Sequence, residues 1–171
     1  MKIASKNLLN GTLADAFGHR GNQFKHGMPS RSFHLSWSEL PSGTVSLALF
    51  FDDIDATPVC GFSWIHWTVA NLDPSLGELP ENASETLGLL EGVNSWASPL
   101  APDSWRLTRE QATGYGGCAP PDKAHLYRIK AYALDSNLPL KRGFFANELF
   151  HAMEGHILAE AALSFWYPAK N

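Results

Sequence analysis

Apolar and polar residues alternate over short stretches of the chain, and turns rich in Gly and Pro separate these stretches. Such alternation is typical of β-strands with one buried face. It predicts strands over residues 33–37 and 125–134, and the aromatic and β-branched residues of 64–70 predict another. The stretch 45–51 is apolar except for Ser46 and is strand-sized, so it predicts a buried strand. The sequence therefore predicts a mostly β fold.

Two segments near the C-terminus depart from this alternation. Residues 144–154 have the apolar spacing of a helix, and Gly155 is a suitable stop. Residues 157–167 are ambiguous: their Ala and Leu content favours helix, whereas the break at Gly155 and the late aromatic residues favour a strand. Propensity leaves both readings open there.

Two other segments show little periodicity. Residues 1–32 are interpreted as an irregular lead-in with one short strand, and residues 71–114 as a long structureless loop. A loop of that length in a compact domain is often functional. Within it, residues 105–112 could form a short helix, and Trp96 and Trp105 are expected to anchor the loop on the body of the protein or on a second copy.

The composition is that of one folded domain spanning residues 1–171, with 44% hydrophobic and 18% charged residues. A formal net charge of −4 argues against general binding to nucleic acid, which needs a basic stripe to neutralise phosphates.

No apolar run is long enough to insert into a membrane, and the N-terminal stretch lacks the continuous apolar core of a signal peptide, so a cytoplasmic protein is expected. Two cysteines, Cys60 and Cys118, are too few for a disulfide framework; reduced thiols are expected, and a single bridge stays open.

Residues suited to an anion site stand at strand ends and in turns. The candidates are Asp53, His66, Pro120, Pro121, His125 and Tyr127. His125 and Tyr127 are two residues apart, so they face the same side of a strand. Histidine and tyrosine can donate to an anion, and a carboxylate beside a histidine favours its charged form. Taken singly, each of these residues is more often a core or turn residue.

Several ordered motifs together resemble the phosphatidylethanolamine-binding protein family, and most closely its bacterial Raf-kinase-inhibitor-like branch. The motifs are Asp53-Ile54-Asp55-Ala56, the stretches 64–71 and 115–121, and His125-Leu126-Tyr127. The resemblance covers about residues 20–167. It implies an antiparallel β-sandwich with one or two short peripheral helices, in which residues 157–167 form a strand. It also implies an anion pocket at one end, occupied in relatives by phosphate-like groups.

The same resemblance assigns the site residues by position. Asp53 matches the first acid of the family's Asp-Pro-Asp-Ala-Pro motif, and His66 matches the histidine of its second motif. Pro120 and Pro121 match its paired prolines, and His125 and Tyr127 match the histidine and tyrosine of His-Arg-Tyr.

Three positions depart from the family pattern. Ile54 stands where a proline is usual, which puts any cis-proline geometry of that turn in doubt. Cys118 also replaces a proline and adds a thiol, and Leu126 replaces the arginine of His-Arg-Tyr and removes a cation. None of the three is a presumed ligand contact.

The expected function is therefore binding of a small anionic, phosphate-bearing ligand by a regulatory or inhibitor-type module, with no enzymatic activity, cofactor or metal. The first alternative is a metal-dependent or acid/base enzyme, because two histidines and a carboxylate can form a facial metal triad. The second is a protein-interaction module in which residues 71–114 dock a protein partner. A homodimer stays open. Nucleophilic catalysis by a Cys118–His125 pair is disfavoured, because the sequence offers no orienting third residue.

Overall fold

The computed structural model describes residues 1–170, in which 36% of residues are in strands and 16% are helical, so the mostly β prediction is confirmed. The strands are β1 (Lys2–Ala4), β2 (Leu8–Leu9), β3 (Thr12–Leu13), β4 (Phe24–Lys25), β5 (Met28–Pro29), β6 (Leu35–Ser38), β7 (Ser46–Asp53), β8 (Trp64–Leu72), β9 (Glu78–Leu79), β10 (Leu90–Glu91), β11 (His125–Leu134) and β12 (Ile157–Tyr167). The α-helices are α1 (Thr57–Cys60), α2 (Ala83–Thr86) and α3 (Ala146–Met153), and 3-10 turns cover Asp15–Phe17, Ile54–Ala56, Pro74–Leu76 and Ser95–Ala97.

The strands form a large sheet, a small sheet and a separate hairpin. The seven-stranded sheet has the order β10-β8-β7-β11-β12-β3-β2, and the three-stranded sheet has the order β1-β6-β9. Strands β4 and β5 form the hairpin. The described strands pair antiparallel except β12 and β3, which run parallel and meet where Trp166 pairs with Thr12. The expected antiparallel sandwich is thus observed, with one parallel contact at its edge.

The large sheet is covered on both faces. One face packs against the small sheet in a core that includes Leu35 and Leu79 of the small sheet and Leu49 and Ile129 of the large one. The other face packs against α3 in a second core of Ala48, Ala70, Tyr132, Leu134, Leu138, Phe144, Leu149 and Met153. Double coverage explains why β7 is apolar at every position from Leu47 to Phe51.

The ambiguous C-terminal segment is a strand over its whole length. Strand β12 pairs with β11 from His125↔Tyr167 to Leu134↔Ile157. Pairing along ten residues of β11 outweighs the weak helix preference of Ala and Leu, because tertiary context overrides propensity. Helix α3 precedes it as predicted, and Gly155, at a φ of +80°, turns the chain away from the helix.

Two interpretations of the weakly periodic segments were wrong. Residues 1–32 contain five short strands instead of one. Residues 71–114 are not structureless, because they contribute β9 to the small sheet and β10 to the large one. Strands of two residues are too short to leave an alternating pattern, so the sequence does not reveal them.

The short helix predicted over 105–112 is absent. A single turn is closed there by Thr108 and Gln111, each of whose backbone N–H groups donates to the other's side chain at 3.0 and 3.2 Å. Of the two predicted anchors, Trp96 is 8% exposed and packs into the body, whereas Trp105 is 56% exposed and does not. Cys60 and Cys118 are both free thiols.

Candidate functional site

The strand register brings four of the six candidate residues together at one end of the large sheet. Asp53, the last residue of β7, pairs with Tyr127 on β11 and with Trp64 on β8. Side chains two residues apart on a regular strand share a face, so His125 lies on the face of Tyr127. The register of β7 and β8 shifts by one residue at His66, between the pairs Phe51↔Trp67 and Asp52↔Ile65, so regular alternation does not place its side chain. The rings of His66 and Tyr127 meet edge to face at 5.1 Å. We call Asp53, His66, His125 and Tyr127 the Asp53 cluster.

Asp53 is buried, and both of its carboxylate oxygens are bonded. Oδ2 accepts from Nδ1 of His125 at 2.8 Å. Oδ1 accepts from the backbone N–H of Ala56 at 3.1 Å and so caps the 3-10 turn Ile54–Ala56. The carboxylate is therefore fixed by the strand that ends in it and by the turn that it caps.

His125 is held between two carboxylates. Its ring is fully buried, and Nε2 lies 2.9 Å from Oδ1 of Asp122, whose side chain is 52% exposed. Both ring nitrogens donate only in the imidazolium form. Burial by itself would lower the pKa of His125, but the hydrogen bonds and charges of Asp53 and then Asp122 outweigh burial and raise it. The site thus favours a positive charge on this ring.

Asp122 is a functional candidate that the sequence analysis missed. The hydrogen bond from His125 is the main cause that lowers the pKa of its carboxyl group. The available signal was its position three residues before His125, directly after Pro121. An aspartate in such a turn ordinarily indicates a turn former, and the sequence gives no measure of where its side chain points.

His66 is buried too, but its protonation differs. Nδ1 lies 2.7 Å from the carbonyl oxygen of Gly116, which can only accept, so Nδ1 carries the proton of the neutral ring. Nε2 makes no hydrogen bond within residues 1–170. Burial lowers the pKa of His66, although Asp53 acts in the opposite direction. Burial thus favours the neutral form of His66, whereas the two carboxylates favour the charged form of His125.

Tyr127 completes the cluster as a neutral hydroxyl group. The backbone N–H of Ala119 donates to its hydroxyl oxygen at 3.3 Å. Burial, followed by the nearby Cys118 and Asp53, raises the pKa of Tyr127 well above its ordinary value. The phenol therefore stays protonated and can act as a donor.

The two prolines differ in exposure, and the thiol of Cys118 is buried. Pro120 is buried, whereas Pro121 is exposed in the bend that leads to Asp122. Cys118 is fully buried, and burial raises the pKa of its thiol well above the ordinary value. Both nitrogens of His125 are bonded to carboxylates, so Cys118 and His125 do not form a catalytic pair.

An aromatic wall adjoins the cluster on the side of His66. The ring of Trp96 meets those of His66 and Trp64 edge to face at 5.3 and 5.4 Å. Phe62 stacks on Trp64 at 5.8 Å. The site therefore combines a polar floor with an apolar side.

Leu126 replaces the arginine of the family motif, and the nearest arginine along β11 is Arg128. Leu126 leaves that position apolar, and its backbone N–H donates to Asp55 at 2.9 Å. Two residues later, Arg128 pairs with Asp52 on the adjacent strand, Nη2 to Oδ2, at 3.2 Å. Arg128 and Asp52 are also directly opposite each other in the sheet, so the guanidinium is already neutralised by its neighbour.

An open cleft lies away from the cluster. It has a volume of about 780 Å³ and is lined by Lys25, His26, Met28, Glu85, Arg109, Glu110, Gln111, Thr113, Tyr115, Arg142 and Gly143. Lys25 and Arg142 are already paired there with Glu85 and Glu91, so volume alone does not make it the better ligand site.

Across residues 1–170, no group of three or more His, Cys, Asp and Glu is arranged to hold a metal ion. No helix in the same range is long and apolar enough to cross a membrane.

Comparisons with known proteins agree with this architecture. The family profile described as phosphatidylethanolamine-binding protein matches residues 4–168. Protein YxkA of Bacillus subtilis is 49% identical over 141 residues, which cover 81% of this chain and 82% of that protein. Protein YbhB of Escherichia coli is 30% identical over 170 residues, which cover 96% and 98%.

Two solved structures have the same fold over nearly the whole chain. A Chlamydia trachomatis homologue of the phosphatidylethanolamine-binding protein superposes with a TM-score of 0.79 at 31% identity, covering 99% of this chain and 97% of that one. YbcL of Escherichia coli superposes with a TM-score of 0.75 at 25% identity, covering 99% and 98%.

Proposed function

The chain belongs to the phosphatidylethanolamine-binding protein family, and from this premise we propose that it binds a small phosphate-bearing anion at the Asp53 cluster. In this proposal it acts as a regulatory or inhibitor-type module and not as an enzyme. The observation that carries the proposal is the buried ring of His125, held between two carboxylates, in the same cluster as the unbonded Nε2 of His66. The carboxylates raise the pKa of His125 and so favour a positive ring, which attracts an anionic oxygen.

His66 adds a contact that is sensitive to the charge of the ligand. In the neutral ring Nε2 is an acceptor, so a protonated phosphate oxygen can donate to it. A phosphate dianion instead raises the pKa of His66 until Nε2 takes up a proton and becomes a donor. In both cases the complex holds one more proton than the separate dianion and protein, so binding should weaken as the pH rises.

The protonation states favour binding over catalysis. Activated nucleophiles and general bases usually have pKa values tuned towards neutral pH. Here burial raises the pKa values of Cys118 and Tyr127, which keeps both groups protonated. Three of the four ring nitrogens of His66 and His125 already donate to protein oxygens, which leaves a single nitrogen for a metal or a substrate proton.

The binding test is a titration with inorganic phosphate and with phosphoethanolamine, followed by NMR of ¹⁵N-labelled histidine side chains. Both compounds should shift the ring signals of His66 and His125 in a saturable way, and chloride at equal ionic strength should not. His156, which pairs with Asp135 on the surface at 2.8 Å, is the internal reference and should not shift. If neither cluster histidine responds, anion binding at this site is excluded.

The same samples test the choice between binding and catalysis. Phosphoethanolamine incubated with the protein should be recovered unchanged by ³¹P NMR. Release of inorganic phosphate above the rate of a His125→Ala control would instead show that the cluster is an enzyme active site. The two ligands also separate recognition of phosphate alone from recognition of a phosphorylated head group.

A further inference from the structure

We propose that Asp122 is a built-in competitor for the ligand: its carboxylate occupies the place on Nε2 of His125 that a phosphate oxygen takes, and the ligand binds by displacing it. The inference rests on the proposed function and adds a regulatory step to the same site.

The geometry places Asp122 between the ring and solvent. The side chain of His125 is fully buried, whereas that of its partner Asp122 is 52% exposed. Nδ1 is bonded to Asp53, so Nε2 is the only nitrogen of this ring that could reach an external anion. Asp122 already holds that nitrogen at 2.9 Å, so an external anion cannot contact it until the carboxylate leaves.

The two carboxylates on His125 differ in how easily they can leave. Asp53 is buried at the end of β7 and also caps a turn, so its displacement would leave buried groups unbonded. Asp122 stands in an exposed bend over residues 121–124 that belongs to no strand. Its release returns a half-hydrated carboxylate to water, which costs little.

The exchange keeps the buried charge paired throughout. Asp53 stays bonded to Nδ1 of His125, while Asp122 or the ligand accepts from Nε2, so neither ring N–H is left without an acceptor. Asp122 and a phosphate would repel each other at the same nitrogen, so they alternate. The site should therefore reject weak monoanions and accept a dianion that binds more tightly than the tethered carboxylate.

The first test compares phosphate affinity between variants. Removal of the competitor raises the fraction of sites that can bind, so Asp122→Ala should bind inorganic phosphate about fivefold more tightly than the wild type. Asp122→Asn keeps a side-chain oxygen that can accept from Nε2 and should gain less. Asp135→Ala removes a carboxylate from a surface histidine pair and should leave the affinity unchanged. Equal affinity of the wild type and Asp122→Ala would overturn the inference.

The second test observes the release directly in the wild type. In ¹³C NMR at neutral pH, the carboxyl signal of Asp122 should move towards that of a freely hydrated aspartate when phosphate saturates the protein, because the carboxylate then leaves Nε2 of His125. If phosphate shifts His66 while the carboxyl signal of Asp122 stays in place, the inference fails and the proposed function stands. If phosphate shifts neither His66 nor His125 in any variant, the proposed function fails and the inference fails with it.

Discussion

Two buried carboxylates of this protein, Glu91 and Asp53, have opposite kinds of surroundings. Glu91 is fully buried, and its oxygens accept from Trp67 at 2.8 Å, from Ser84 at 2.5 Å and from Arg142 at 2.9 Å. These donors come from three separate parts of the chain. Glu91 therefore joins β10 to β8, to α2 and to the segment before α3, and its set of partners is complete.

Asp53 has the opposite arrangement. Its bonds lead through His125 to Asp122, which is half-exposed and lies in a bend. The direct partners of both carboxylates are donors, but within residues 1–170 those of Glu91 lead to no further carboxylate, so we assign Glu91 a structural role. A buried carboxylate whose bonds lead to an exposed group of the same charge can exchange that last group for a ligand. Burial of a charge alone thus does not identify a functional site.

The largest effect is expected when Glu91 is removed. Glu91→Ala leaves the buried indole N–H of Trp67 and the hydroxyl of Ser84 without an acceptor and frees Arg142. The buried indole and the part-buried hydroxyl, both left unpaired, should together lower the free energy of unfolding by about 3 kcal/mol. Urea denaturation measures the loss, and phosphate affinity of the folded variant should not change. A loss below about 1 kcal/mol would show that Glu91 is not the structural centre that the comparison makes it.

Asp53→Asn should weaken phosphate binding more than it weakens stability, the reverse of Glu91→Ala. The amide can still accept from the backbone of Ala56, so the loss in unfolding free energy should be about 2 kcal/mol and smaller than for Glu91→Ala. The negative charge of Asp53 beside Nδ1 of His125 disappears, which removes the largest of the influences that raise the pKa of His125. Phosphate should therefore bind much more weakly than to the wild type, as calorimetric titration would show. Wild-type phosphate affinity in this variant would mean that the anion binds elsewhere.

The parts of the fold and site that could be predicted are those with long local patterns. Strands of eight to eleven residues leave a readable period, and β7, β8, β11 and β12 lie within about two residues of the predicted or implied segments. Once these strands pair, the register alone places Asp53 beside Tyr127. The face shared by His125 and Tyr127 also follows from their spacing.

The parts that could not be predicted depend on contacts distant in sequence. Glu91 lies in a segment interpreted as a loop, and its ion-pair partner Arg142 is 51 residues away. The neutral state of His66 depends on the carbonyl of Gly116, 50 residues away. Asp122 is local to His125, but only the structure shows that its side chain turns inward to the ring. No pattern in the sequence encodes these contacts.

The smallest expected effect is the pH dependence of stability, to which the two histidines of the cluster contribute in different pH ranges. The pKa of His125 is raised in the folded state, so its contribution is complete below the unfolded pKa of about 6.5 and is lost as the pH rises through the folded value. The pKa of His66 is lowered, so its contribution is complete above about 6.5 and is lost as the pH falls towards the folded value. As far as these two groups decide it, the wild type should be most stable at about pH 6.5 and lose stability on both sides.

Single variants should each remove one side of this profile. In His66→Asn only the contribution of His125 remains, so the free energy of unfolding should fall only as the pH rises above about 6.5. In His125→Asn only that of His66 remains, so stability should fall only as the pH drops below about 6.5. His156→Asn, which alters an exposed pair, should keep the two-sided profile of the wild type. Urea denaturation at a series of pH values measures all three. Slopes of the same sign in the two cluster variants would contradict the assignment of a charged His125 beside a neutral His66, and with it the contrast between a carboxylate that exchanges partners and one that does not.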